Sequence, residues 1–262
     1  MIGDSTMANR NLKNPKNKER GWGMMLGSFF PSDKVVVSNH AASGRSTKSF
    51  INEKRWARVV ALIKPGDYVF IQFGHNDEKK ENPKLYTEPG GTFDDNLRKF
   101  VNETRAKGGI PVLFNSIVRR KFCQDAARQF TDSLLDTHGE YLLSPKRVAE
   151  ELNVPFIDMN KMTHDLVCQM GPEKSKKLYM WAGKKDDTHL NIKRFPRCRM
   201  AIDAVGKKIP ELGKYIRHFD YVVATDGSGD FFTLDEALKA IPAKTKCKVL
   251  VRTGTIWSET GS

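Results

Sequence analysis

Four short polar blocks carry the residue types that acyl transfer requires: "GDST" at 3–6, "NHAASGRS" at 39–46, "FGHND" at 73–77 and "DDTHLN" at 186–191. Acyl transfer needs a nucleophile, a base, a carboxylate that orients the base, and hydrogen-bond donors for the oxyanion. The first block offers a serine hydroxyl, and the last offers a carboxylate and an imidazole. Each block alone is a weak signal, but together they predict a hydrolytic site.

The residues within the blocks fit particular parts of this chemistry. Asp186 and His189 are three apart, so in a loop or helical turn the carboxylate can hold the imidazole in one tautomer. Gly44 can present a backbone N–H that no side chain blocks, and Asn76 can donate without adding charge. Structural interpretations stay open: a plain Gly-rich turn, a helix N-cap at Asn76-Asp77, and a structural histidine.

The elements that must position these blocks alternate between strand and helix. Short apolar runs predict strands at 34–38, 67–74, 110–117 and 154–159. Amphipathic patterns predict helices at 51–64, 93–108, 144–153 and 199–216, the last beginning near Arg197 after Pro196. This alternation predicts an α/β fold with a doubly wound parallel sheet, whose ligands bind at the carboxyl ends of the strands.

The pattern changes near residue 217. The following 45 residues offer a strand, a Gly-rich turn, a short amphipathic helix and a further strand. A segment of that length is too small to build a stable core alone. We therefore predict a main domain at 1–217 and a fragment of a second domain at 218–262.

The chain of 262 residues carries a net charge of +13, from 44 Lys and Arg against 31 Asp and Glu. Clustered cations favour nucleic acids through counterion release. Here the basic residues are spread along the chain except at 11–22, and no zinc-finger, RNA-binding or helix-turn-helix pattern occurs. We expect no nucleic-acid partner and interpret the charge as a solvated surface that attracts acidic polymers. No run approaches the roughly 18 apolar residues of a membrane span, so no membrane partner is expected.

Cysteine and histidine spacing gives no sign of a metal or cofactor site. The four cysteines are far apart, which excludes CxxC motifs and leaves both disulfides and buried thiols open, with thiols favoured. They are Cys123, Cys168, Cys198 and Cys247. The histidines lack HExxH or similar spacing. We therefore expect neither a metal nor an organic cofactor.

In their order, the four blocks resemble those of the SGNH (GDSL-like) hydrolases, specifically the rhamnogalacturonan acetylesterase family. The resemblance covers about residues 1–216. It implies that Ser5 is the nucleophile and His189 the base. The Asp-x-x-His spacing selects Asp186, rather than Asp187, as the carboxylate partner of the base.

The same resemblance implies further roles and a fold. The backbone of Ser5, Gly44 and Asn76 would form the oxyanion hole, while Arg45 and His75 would bind substrate. The implied fold is the flavodoxin-like three-layer arrangement of SGNH hydrolases.

The tail has a resemblance of its own. "VVATDGSGDFFTLDEALKAIP" followed by "VLVRTGTIWSE" is similar to the opening of a pectin methylesterase (pectinesterase), a right-handed parallel β-helix. That family's catalytic carboxylates and arginine lie downstream of this opening. The resemblance therefore implies an incomplete, inactive β-helix fragment at 218–262.

In the SGNH family the strand before the serine is central in the sheet, whereas only Met1 and Ile2 precede the first block here. We therefore expect a truncated first strand and poor folding of residues 1–262 expressed alone. We also expect a secreted or periplasmic full-length parent, although no signal peptide is visible in this chain.

The expected function is a serine esterase that removes acetyl groups from rhamnogalacturonan or related pectin. One alternative is an SGNH esterase acting on acetylated xylan or a lipid ester, although apolar lid segments typical of a lipase are missing from the sequence. Another is a non-catalytic fragment that binds carbohydrate or polyanions. The oligomeric state stays open.

Overall fold

A parallel sheet lies at the centre of the computed structural model, which describes residues 1–11, 19–181, 185–191, 196–225, 229–243 and 245–252. The strands are β1 (Ile2–Gly3), β2 (Tyr68–Gln72), β3 (Ile110–Phe114), β4 (Phe122–Gln124), β5 (Phe130–Leu134), β6 (Phe156–Ile157), β7 (Tyr221–Val223) and β8 (Val249–Val251). The central sheet has the order β1-β2-β3-β6, and its pairs are all parallel. An antiparallel β4–β5 pair and a parallel β7–β8 pair lie outside it.

Helices connect and cover these strands. They are α1 (Trp22–Met25), α2 (Thr47–Asn52), α3 (Arg55–Val60), α4 (Thr92–Ala106), α5 (Leu143–Glu151), α6 (Met159–Ser175), α7 (Pro196–Lys208), α8 (Pro210–Gly213) and α9 (Leu234–Ala240). Three 3₁₀ turns, Leu26–Phe29, Gly139–Leu142 and Lys176–Leu178, adjoin α1, α5 and α6. The axis of α6 is broken at Gly171, whose φ is 70°.

Side chains of β2 and β3 alternate between two apolar layers, as the period of a strand requires. Val69, Ile71 and Leu113 pack with α2–α5 on one face. Phe70, Val112 and Phe114 pack with α1 and α7 on the other. The predicted α/β fold with a parallel sheet is therefore confirmed, and β2 and β3 are largely apolar because both faces of the sheet are buried.

The predicted strands at 67–74, 110–117 and 154–159 correspond to β2, β3 and β6. The strand predicted at 34–38 is wrong, because no regular strand forms there. Instead, the backbone N–H groups of His40 and Ala42 donate to the carbonyls of Met1 and Gly3, each at 2.9 Å. A strand at 34–38 would need a neighbouring strand of similar length to pair with, and β1 has only two residues. Poor folding of the chain alone stays a prediction.

Two predicted helices are each divided in the structure. The helix predicted at 51–64 is replaced by α2 and α3, because Lys54 between them adopts a left-handed φ of 55°. Ser46 and Ser49 form a capping box, which explains why α2 begins earlier than predicted. The helix predicted at 199–216 divides at Pro210, which cannot donate the hydrogen bond that would continue α7.

The tail packs against the main body through shared apolar contacts. The ring of Phe219 stacks on that of Phe29 with a centroid distance of 4.8 Å. Val222 and Ala224 are fully buried in the same cluster as α1 and α7. The tail therefore shares this core instead of building its own, and the boundary at residue 217 stays a prediction.

All four cysteines are free thiols, of which Cys198 is buried. Across the described segments, none of the helices combines the length and the apolar character required to cross a membrane.

Candidate active site

Ser5 lies in a tight turn immediately after β1. The Asp4 carboxylate accepts hydrogen bonds from the Thr6 N–H (2.9 Å) and the Thr6 hydroxyl (2.8 Å), which fixes the turn. A Cβ on Gly3 would lie only 2.6 Å from the carbonyl oxygen of Gln72, so the strand approaches β2 closely enough to require glycine. Burial alone raises the pKa of Asp4, but His75 and the bonds from Thr6 outweigh it and hold that pKa below its usual range.

The predicted base and its carboxylate meet this serine. His189 Nε2 lies 2.9 Å from Ser5 Oγ, and His189 Nδ1 lies 2.8 Å from Asp186 Oδ2. The other oxygen of Asp186 accepts from the N–H groups of Thr188 (2.8 Å) and His189 (2.9 Å). Burial alone raises the pKa of Asp186, but these bonds outweigh it and hold the pKa low. An ionised carboxylate only accepts, so Nδ1 carries the proton and Nε2 accepts from the serine.

The neighbouring carboxylate, Asp187, points elsewhere. Its Oδ1 accepts from the Arg120 guanidinium at 2.9 Å, and its carbonyl accepts from the Arg120 N–H at 2.8 Å. The guanidinium in turn lies over the ring of Trp181 at 4.5 Å. These contacts anchor the histidine loop to the chain after β3 and leave Asp186 to His189, as the spacing predicts.

The predicted oxyanion donors come from the loop before α2 and from the turn after β2. Gly44 is exposed with a φ of 75°, and its missing side chain leaves open space. Asn76 is buried, and its Nδ2 donates to the carbonyl of Arg45 at 3.1 Å. The ammonium of Lys79 donates to Asn76 Oδ1 at 2.8 Å. The amide is thereby oriented with its nitrogen toward the Gly44 loop, and Lys79 polarises it as a donor.

The two residues predicted to bind substrate lie in different surroundings. The Arg45 guanidinium donates to Glu53 (3.1 Å) and to the carbonyl of Ser43 (2.9 Å). His75 is buried, with its Nδ1 3.2 Å from Asp4 Oδ2 and its ring 4.7 Å from that of His138. The structure therefore places His75 in the interior behind the serine turn, and its substrate-binding role stays a prediction.

A buried carboxylate, Asp77, connects the second and third blocks. It accepts from the Thr47 N–H (2.9 Å), the Thr47 hydroxyl (2.5 Å) and the Thr87 hydroxyl (2.8 Å). Burial raises the pKa of Asp77 to about 7, against the opposing effect of these bonds. The N-cap interpretation of Asn76-Asp77 is thus partly right, since Asp77 binds the first residue of a helix, but the helix is α2 from a distant part of the chain.

Comparison with known proteins identifies a family and several relatives of this chain. The model of the GDSL-like Lipase/Acylhydrolase family matches residues 1–193. This chain belongs to the GDSL-like hydrolases. Among curated relatives, the rhamnogalacturonan acetylesterase RhgT of Bacillus subtilis is 36% identical over 217 residues, which covers 79% of this chain and 87% of RhgT. The probable rhamnogalacturonan acetylesterase YesY of the same organism is 32% identical, with 81% and 92% covered.

Solved structures show the same fold. The structure of YxiM from Bacillus subtilis superposes with a TM-score of 0.67 at 26% identity, covering 79% of this chain and 55% of that one. The acetylxylan esterase Axe2 from Geobacillus stearothermophilus superposes with a TM-score of 0.54 at 20% identity, covering 82% and 94%. The family model and the relatives RhgT and YesY together make this GDSL-like hydrolase an enzyme that cleaves carboxylic esters.

Sequence reasoning missed two charged residues beside the triad of this GDSL-like hydrolase. Arg10 donates to the Ser5 carbonyl at 2.7 Å and forms an ion pair with Glu19 at 2.5 Å. Glu19 in turn lies 3.8 Å from His189 Nε2. Both residues border or belong to the basic segment that was interpreted as solvated surface. The only signal in the sequence was that local density of charge close to the serine block.

Proposed function

We propose that this protein removes acetyl groups from rhamnogalacturonan or related pectin through a Ser5–His189–Asp186 mechanism. The observation that carries the proposal is the continuous line of contacts from Asp186 through His189 to the Ser5 hydroxyl, 2.8 Å and 2.9 Å long. This arrangement suits general-base activation of a nucleophilic serine. The names of the relatives RhgT and YesY supply the substrate class.

The reaction would proceed in two steps. His189 Nε2 takes the proton of Ser5 as Oγ attacks the acetyl carbonyl, and Asp186 stabilises the imidazolium. The sugar hydroxyl leaves with that proton, and an acetylated serine remains. His189 then removes a proton from water, whose oxygen attacks the acetyl carbon, and acetate leaves as the serine regains its proton.

Three donors would hold the negative oxygen during both steps. They are the backbone N–H groups of Ser5 and Gly44 and the Nδ2 of Asn76, the last oriented by Lys79. Such preorganised donors stabilise the transition state more than the bound ester. The net charge of +13 favours a substrate rich in uronate carboxylates. We also propose a secreted or periplasmic site of action.

Acetate release at matched acetyl concentrations tests the substrate class. Acetylated rhamnogalacturonan oligosaccharides should give a higher kcat/KM than acetylated xylan, and Ser5→Ala should abolish both activities. Raised salt should lower kcat/KM for the uronate substrate more than for neutral xylan, because exposed charges are screened. Faster acetate release from acetylated xylan would make xylan, and not rhamnogalacturonan, the proposed substrate. No release from any polymer by the folded protein would favour a non-catalytic binding fragment.

We further propose that residues 218–262 are the opening of a pectin methylesterase-like β-helix without activity of its own. The parallel β7–β8 pair with α9 between its strands supports this interpretation, since parallel pairs stack in such a helix. Residues 253–262 lie outside the described part of the chain. The Ser5→Ala variant should release no methanol from methylated pectin, and methanol release by that variant would contradict the absence of activity in the tail.

A further inference from the structure

Arg10 contacts several parts of the active site at once, although it does not belong to the predicted triad or oxyanion hole. Its Nη2 donates to the carbonyl oxygen of Ser5 at 2.7 Å, and its Nη1 donates to Ser43 Oγ at 2.5 Å. The guanidinium also pairs with Glu19 at 2.5 Å. Its side chain is only 12% exposed, so these contacts are made within the protein.

The first two contacts join the two backbone segments that carry oxyanion donors. Ser5 supplies its own N–H, and Ser43 directly precedes Gly44. A planar guanidinium with donors in a fixed fork sets the distance and the angle between its two acceptors. The separation of the serine turn from the Gly44 loop is therefore fixed by Arg10 on one side. On the other side, the Asn76 amide binds the Arg45 carbonyl.

The third contact controls a carboxylate that competes for the base. Glu19 Oε1, which pairs with Arg10, lies 3.8 Å from His189 Nε2, the nitrogen that must accept the serine proton. Without a cation beside it, that carboxylate would favour a protonated Nε2 and draw the imidazole away from Ser5. Among the described residues, the charged groups that contact His189 are Asp186 on its own loop and Glu19, with Arg10 behind Glu19.

We propose that Arg10 is a positioning residue: it fixes Ser5 and the Gly44 loop in the geometry of acyl transfer and holds the Glu19 carboxylate off His189. This inference rests on the proposed acetylesterase function. It predicts that Arg10 acts on the rate of the chemical step while leaving substrate binding nearly unchanged.

The first test compares Arg10→Met, Arg10→Lys and the exposed control Arg58→Met with p-nitrophenyl acetate as substrate. Arg10→Met should lower kcat by about 100-fold and move KM by less than about threefold, because preorganised geometry is lost. Arg10→Lys should stay about tenfold or more below the parent, since an ammonium cannot reproduce the fork. Arg58→Met should match the parent.

The second test separates positioning from mere stability. Guanidinium added at about 50 mM, far below its denaturing range, should raise the kcat of Arg10→Ala by at least about fivefold. It should leave the kcat of Arg10→Lys unchanged. The double variant Arg10→Met/Glu19→Gln should recover about tenfold over Arg10→Met, because the competing charge is gone. A merely structural arginine would show neither effect.

Specific outcomes would overturn the inference. A folded Arg10→Met with more than half the parental kcat would do so, and so would a loss confined to KM. If the Arg10 variants do not fold, Ser43→Ala decides: it should lower kcat by about threefold to tenfold, and parental kcat would contradict the proposal. A parent protein that neither hydrolyses the ester nor reacts at Ser5 with a fluorophosphonate would overturn the proposed function instead.

Discussion

The Asp186–His189 and Asp4–His75 pairs use the same two side chains in different surroundings. In the first pair the Nδ1–Oδ2 distance is 2.8 Å, the histidine is 30% exposed, and Nε2 meets the Ser5 hydroxyl. In the second the distance is 3.2 Å, the histidine is 3% exposed, and Nε2 has no hydrogen-bond partner within the described part of the chain. The partner of the second nitrogen therefore decides whether an aspartate–histidine pair serves chemistry or structure.

Electrostatics follow the same division. Burial lowers the pKa of His75 more than Asp4 raises it, so this imidazole is neutral at pH 7, and it is buried away from solvent. Asp186 keeps its charge through backbone N–H donors on its own loop and contacts an imidazole that reaches solvent. A base must alternate between two protonation states during a turnover, and only the exposed pair allows that.

The largest expected effect comes from removing His189 of the exposed pair or the serine that it contacts. Ser5→Ala and His189→Ala should each lower kcat on acetyl esters by about 10³ or more, because nucleophile and base act as one unit. The double variant Ser5→Ala/His189→Ala should lose little more kcat than either single variant. Steady-state acetate release, with circular dichroism to verify folding, measures this. Retention of more than a tenth of the activity in Ser5→Ala would show that another residue is the nucleophile.

The next largest effect is expected at Asn76, which directly follows His75 after β2. Asn76→Ala should lower kcat by about 10²–10³ while KM moves little, because its hydrogen bond strengthens only in the transition state. Saturation kinetics on one ester separates the two constants. A rise in KM alone would mean that Asn76 binds the sugar and not the oxyanion.

The interior pair should respond mainly in stability. His75→Leu removes a donor from the buried Asp4 carboxylate and leaves it those of Thr6, which should cost about 1–3 kcal/mol in the free energy of unfolding. His75→Asn, which keeps a donor near the position of Nδ1, should cost less. We expect both variants to retain kcat within about tenfold of the parent. Urea unfolding measures the stability, and a catalytic loss as large as that of His189→Ala would assign His75 to the chemistry.

The two pairs also show which contacts could be predicted from the sequence. The contact between Asp186 and His189 was predictable, because a carboxylate and an imidazole three residues apart can meet within one loop. Within "FGHND", however, His75 and Asn76 take opposite directions, and composition does not indicate which of them faces the site. The pairing of Arg10 with Glu19 was not predictable either, since nothing in local spacing relates both to the Ser5 carbonyl.

The fold divides in a similar way. The strands β2 and β3 and the helix α4 followed from apolar runs and periodicity, which burial imposes directly. The break at Lys54 was missed because a lysine with positive φ carries no signal comparable to a glycine. The β4–β5 hairpin was also missed, since its residues are largely polar and exposed and show no regular alternation.

A third carboxylate, Asp77, is buried and accepts hydrogen bonds from threonines instead of a histidine. The folded pKa of Asp77 is about 7 against 3.8 for an ordinary aspartate, mainly because of burial. The folded state therefore binds the Asp77 proton more tightly than the unfolded chain does. The contribution of Asp77 to stability is fully present below about pH 4 and is lost as the pH rises through 7.

Asp77→Asn removes this titration but keeps an oxygen acceptor for Thr47 and Thr87. The stability of the variant relative to the parent should therefore increase steadily between pH 4 and pH 7 and level off above it, whatever its value at pH 4. Urea midpoints at four pH values across this range measure the difference, and the exposed Asp33→Asn should show no comparable trend. A difference between Asp77→Asn and the parent that is constant with pH would mean that Asp77 is ionised in the folded protein throughout, like Asp4 and Asp186.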